Sequence, residues 1–204
     1  MNAANEGVEV TQGGNWGSPN AVPTMLAHMV KHLSYLPPNA HKDLVRQNAL
    51  VSLFLGMSIV EAFANAYGTV VAENIGGDAG KALKKAANAG GPTSAKLEGL
   101  FKHGFNNAPL NKDDPRWKAY DALRELRNDF VHFKTTNETV TIAGITFNGM
   151  ANLSVLEKLT AQTPAWVLKT LCGLIELVGE GQGKSKAEAA ALAHLYLGIL
   201  PGTL

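Results

Sequence analysis

Arg127, Asn128 and His132 put a guanidinium, an amide and an imidazole within six consecutive residues. Histidine titrates near neutral pH, so it can take or give a proton in water. Arginine presents a fixed fork of donors that matches phosphate oxygens and stabilises negative charge as it develops. Asparagine offers both a donor and an acceptor, enough to orient an imidazole or hold an anionic oxygen. On a helix, Asn128 and His132 stack on one face because they stand four residues apart. Arg127 falls on the flank, beside Arg124, Tyr120 and Val131. The apolar stripe Ala119, Leu123, Leu126, Phe130 and Phe133 marks the core-facing side, roughly opposite Asn128 and His132. A face that mixes arginines, an amide, an imidazole, a tyrosine and a valine suits a pocket or a subunit interface better than open water. The plainer alternative is a surface arginine in an ion pair and a histidine that offsets the dipole near the end of its helix.

The run Leu123-Arg124-Glu125-Leu126-Arg127-Asn128-Asp129-Phe130-Val131-His132 resembles the signature of HEPN domains. There an arginine, usually followed by a polar residue, precedes a histidine by a few positions on a late bundle helix. The match covers about ten residues, and the helical order is compatible over roughly residues 41–180. The resemblance implies a helical homodimer acting on RNA with neither metal nor cofactor. His132 would serve as general base or acid, Arg127 would bind the scissile phosphate, and Asn128 would orient. The 2′-hydroxyl would attack the adjacent phosphate and leave a 2′,3′-cyclic phosphate. Catalytic members work in toxin–antitoxin and phage-defence systems, which adds an antitoxin to the candidate partners. Other members bind RNA or nucleotides without cutting. That non-catalytic role stays open, as does a purely structural dimer face.

Asp113-Asp114-Pro115 predicts the start of the helix that carries this motif, with aspartate as cap and proline in the first turn; the helix is expected to run to about Lys134. A long helix is expected from His41 to about Asn74, mostly apolar after Leu50, with Gly76-Gly77 as its stop. Ser58, Glu61 and Asn65 fall along one stripe of it. A carboxylate in so apolar a segment needs a partner, and Arg127, then Arg124, are nominated. Glu61 and Asn65 thus support the motif, or Glu61 belongs to an ion pair that merely locks two helices. Lys81, Lys84 and Lys85 form a small basic cluster, with Lys96 and Lys102 further along. They could meet RNA phosphates, although a solvated helix face explains them more simply.

Around these elements the spacing predicts a short helix from Thr24 to Leu36 and helical pieces over Lys81–Asn88 and Ser94–His103. A hairpin or extended insertion follows near 139–147. A helix from Ser154 to Gly179, bent near Pro164, and a last helix from Lys186 to Leu200 complete the chain. The expected fold is an all-α, up-and-down bundle of four to five main helices over residues 23–204, preceded by a mobile arm at 1–22. Eighteen Lys and Arg against 17 Asp and Glu argue against a strongly basic nucleic-acid coater. One cysteine, Cys172, excludes an intrachain disulfide and reads as a small core residue. His28 and His32 lack a third metal ligand. Gly179 to Ser185 fails the phosphate-loop pattern because Val178 stands where it needs glycine. The apolar run Ala49–Val60 is short for a bilayer span and meets Glu61, so a cytoplasmic protein with no membrane partner is expected.

Overall fold

The computed structural model describes residues 21–88, 90–105, 109–131, 139–142, 144–148 and 153–199. Helix α2 (Lys42–Ile75) is the axis of an all-α bundle. Its first turn is capped by His41, whose Nδ1 accepts from the Asp43 backbone N–H at 3.4 Å. It ends at Gly76, which adopts φ 59° and donates its N–H to the Ala72 carbonyl at 3.1 Å. Leu53, Ile59 and Phe63 are wholly buried. By length and composition alone α2 could cross a bilayer. Here it is wrapped by α1 (Ala21–Leu33), α3 (Gly77–Asn88), α4 (Thr93–Gly99), α5 (Pro115–Val131) and α7 (Thr163–Gly181). A π-helical turn over Leu100–Gly104 extends α4 and buries Leu100 and Phe101.

The expected entry to α5 holds. The Asp114 carboxylate accepts from the Arg116 backbone N–H at 2.8 Å and also grips the Arg116 guanidinium, at 3.0 and 2.8 Å. The same guanidinium reaches Glu180 of α7 at 2.8 Å. Arg116 therefore clips the start of α5 to the end of α7. Hydrogen bonding to Arg116 holds the carboxyls of Asp114 and Glu180 below the usual carboxylate range. A carboxyl depressed in the folded chain adds stability above its ordinary pKa of about 4 and loses it as pH falls toward the lowered value. The melting temperature should therefore fall on acidification below about pH 5. Arg116→Met should lie lower at pH 7 and show a shallower acid slope. Equal slopes in melts taken between pH 7 and pH 3 would reject this coupling.

Several sequence expectations change in detail. The helix expected from Thr24 to Leu36 is α1, Ala21–Leu33, three residues earlier at each end. The helix expected from Ser154 to Gly179 is two helices, α6 (Leu153–Glu157) and α7. Pro164 lies in the first turn of α7, where its missing N–H costs no helical bond, so it starts a helix rather than bending one. The last helix, α8 (Lys186–Leu197), stops at Gly198 rather than Leu200 because that glycine takes the left-handed conformation, φ 63°. A capping box of Ser185 and Glu188 starts it. The expected hairpin is present as antiparallel β1 (Thr139–Ile142) and β2 (Ile145–Asn148), with Ile142 opposite Ile145 and Gly144 at φ 80° in the turn. Residues 21 and 22 already belong to α1, and the rest of the expected arm lies outside the described residues.

Candidate functional site

Helix α5 is clasped on two sides, by α7 and by α2. Leu123 is fully buried, and Leu126 and Phe130 pack against the core, as the apolar stripe predicts. Tyr120 shares the flank of Arg127, as the spacing predicts, and is 0% exposed there, packed against Trp117 with ring centroids 5.1 Å apart. The physical reason is the second partner. Tyr120, Arg124 and Arg127 follow each other at helical spacing, and that side of α5 faces α2 instead of water.

A cleft of about 240 Å³ opens along this seam. Helix α5 contributes Tyr120, Arg124, Arg127 and Asn128 to its lining. Helix α2 contributes Phe54, Met57, Ser58 and Glu61, and the turn into α4 adds Pro92 and Thr93. The structure thus brings four of the residues nominated from sequence, Arg124, Arg127, Asn128 and Glu61, into one concavity. Arg127 Nη1 donates to Asn128 Oδ1 at 3.2 Å, which supports the pairing of these two neighbours. Arg127 Cζ lies 5.9 Å from the centroid of the Phe54 ring, within range for a cation–π contact. Arg124 is held by Asp121 one turn back, with Nε and Nη2 on the same oxygen at 3.0 and 2.7 Å. That carboxylate offsets much of the charge of Arg124 and leaves Arg127 as the freer cation of the cleft.

Glu61 departs from its expected role. It is 56% exposed, so it needs no buried counter-charge, and the cation beside it is Lys96 at 3.6 Å, not Arg127 or Arg124. Lys96 is the functional-site neighbour that sequence reasoning missed. It was grouped with the solvated lysines, but it is 7% exposed and donates from Nζ to Asn65 Oδ1 at 2.8 Å. The available signal was Asn65 itself, a polar residue on the same stripe as Glu61 that needed a donor. Asn65 therefore ties α2 to α4 and does not line the cleft. Lys96→Met should cost about 1–2 kcal/mol by stranding Asn65 Oδ1. For a chain this size that lowers Tm by roughly 2–8 °C. An unchanged thermal melt would show that the bond holds nothing in place.

Lys81, Lys84 and Lys85 lie on α3 and are exposed. Lys81 meets Asp78 at 3.4 Å and Lys84 meets Glu73 at 3.7 Å; none of the three lines the cleft. His132 lies outside the described residues, as does Phe133; α5 is described to Val131, the residue before it. His32 sets its ring edge-on to Tyr35, and among the described residues no group of three or more His, Cys, Asp or Glu could hold a metal.

No family model, no curated protein and no solved structure matches this chain.

A second, larger groove of about 520 Å³ runs between α5 and α7 and is lined by Trp166, Ala119, Cys172 and Gly173. Its arginine, Arg116, is already bound by two carboxylates. Burial pushes the Cys172 thiol up to about 11, so it stays protonated and unreactive near neutral pH. The smaller cleft combines an arginine with unfilled donors, an amide, a hydroxyl and apolar walls. That set can bind an oxyanion against a flat apolar or aromatic surface.

Proposed function

We propose that the chain is a HEPN-like, metal-independent endoribonuclease that works as a cytoplasmic homodimer, with a toxin or phage-defence role and an antitoxin among its candidate partners. The single supporting observation is that Arg127 and Asn128 share one cleft with Arg124, Ser58 and Glu61. In this reading Arg127 engages the phosphate that gains charge during cleavage. The imidazole of His132, which follows the described end of α5, moves the proton of the 2′-hydroxyl. Asn128 holds the guanidinium in place, as its 3.2 Å bond to Arg127 suggests. Phe54 and Met57 offer apolar walls against which a base can lie.

Labelled RNA incubated with the purified protein in EDTA tests this directly. Cleavage leaving 2′,3′-cyclic phosphate ends is the expected result. Binding with intact RNA would transfer the site to a non-catalytic RNA- or nucleotide-binding module. Neither binding nor cleavage would remove RNA from the proposal altogether.

A further inference from the structure

Two donors of the cleft have no use among the described residues. The Tyr120 hydroxyl and the Arg127 Nε are both shut off from solvent, and neither has a hydrogen-bond partner there. Both residues line the same cleft. Buried donors are almost always paired, because an unpaired one carries a desolvation penalty that nothing returns. Packing does not explain the hydroxyl. The ring of Tyr120 already fills its place beside Trp117, and a phenylalanine would fill it equally well.

We propose that the Tyr120 hydroxyl and the Arg127 Nε–H form a paired-donor subsite on the floor of the cleft that binds the oxygens of a single phosphate group. This rests on the reading of the cleft as an RNA site and names the group that Tyr120 would position. The Arg127 Nε can only donate and the Tyr120 hydroxyl can donate beside it, so the pair suits a ligand that accepts twice, and the guanidinium charge selects an anion. Met57, Arg124 and Arg127 are long, flexible side chains of the lining, so they can shift to admit such an oxygen. Burial, the leading cause, raises the Tyr120 hydroxyl to about 12, against a smaller opposing effect of Arg124. It therefore remains a neutral donor throughout the physiological range.

The probe is a fluorescent 2′-O-methyl oligoribonucleotide, which cannot be cut through its 2′-oxygen, with inorganic phosphate as competitor. Tyr120→Phe is expected to melt at or above the wild-type temperature while binding the probe roughly tenfold more weakly. Arg127→Lys, which keeps the charge and loses the Nε–H, should weaken binding similarly. The double variant should lose less than the two single losses combined, because both donors serve one group. Displacement by inorganic phosphate assigns the subsite to any phosphate oxygen; resistance to it restricts the subsite to the diester of a strand. Wild-type affinity in Tyr120→Phe, a clear drop in its melting temperature, or simple additivity each overturns the proposal. Cleavage of ordinary RNA is read separately. Tyr120-dependent binding without cleavage keeps the subsite and removes the nuclease, whereas cleavage with binding indifferent to Tyr120 does the reverse.

Discussion

Arg127→Ala is expected to slow RNA cleavage by about 10²–10³-fold, the loss typical when one preorganised donor to a developing oxyanion is removed. The side chain is half-buried, its fork makes one hydrogen bond among the described residues, to Asn128, and it stands against the Phe54 ring at the cleft. Its removal takes away charge where a phosphate would sit and should weaken RNA binding as well. His132→Ala should slow the chemical step by about 10²–10⁴-fold while leaving binding largely intact, because the imidazole's proposed task is proton transfer. The pair is informative together. A rate that falls in both variants, with affinity lost only in Arg127→Ala, assigns binding to the guanidinium and proton transfer to the imidazole. Residual cleavage in both at the wild-type rate would place any nuclease activity elsewhere or in a contaminant. Thermal melts should fall only slightly for Arg127→Ala, since among the described residues its contact with a second helix is the cation–π approach to Phe54 of α2, worth about 0.5–1 kcal/mol.

Gly56→Leu should have the largest effect on the fold and an indirect one on the site. A Cβ at Gly56 would lie 2.5 Å from Val167 Cγ1 of α7 and 3.8 Å from Leu123 Cδ2 of α5. Three helices therefore converge at a point where only a hydrogen fits. Forcing a four-carbon side chain into it overpacks the core, at about 3 kcal/mol. That is a large share of the roughly 5–15 kcal/mol that holds a domain together, and it should lower Tm by roughly 6–12 °C. Phe54, Met57 and Ser58 occupy the same turn of α2 and line the cleft. Driving α2 away from α5 would separate them from Arg124 and Arg127, so RNA binding should fall in parallel. A variant that melts within a degree or two of wild type would mean that the α2–α7 contact is looser than described.

The hydrogen-bonding apparatus of the helix ends was visible in the sequence, because it is local. Asp114 before Pro115 and Gly76 after a long apolar run act on backbone groups only a few residues away, so local sequence located the start of α5 and the stop of α2. Pro164 illustrates the limit of that reasoning. A proline is compatible with a kink or with a first turn, and whether the preceding residues continue a helix depends on what they pack against.

Partner choice was not local. Glu61 was expected to face Arg127, but Lys96 of α4 stands beside it. Thirty-five residues separate Glu61 from Lys96 in the sequence, and periodicity carries no information on which helix comes to lie alongside another. Tyr120 shows the same limit on a single helix. The hydrophobic pattern of α5 marked one buried side. The side toward α2 carries arginines and a tyrosine, a mix that suits a pocket or an interface but does not say which helix covers it.

The sequence by itself determined an all-α bundle, the placement of most of its principal helices, and the grouping of Tyr120, Arg124 and Arg127 along one flank of α5, since each of these follows from spacing within a few turns. The tertiary structure alone decided that this flank meets Ser58 and Glu61 across a cleft, that Lys96 is buried beside Asn65, and that the Tyr120 hydroxyl has no partner among the described residues. Those facts depend on how helices distant in the chain are brought together to bury apolar surface, and that energy is shared among many residues instead of being written in any short stretch of them.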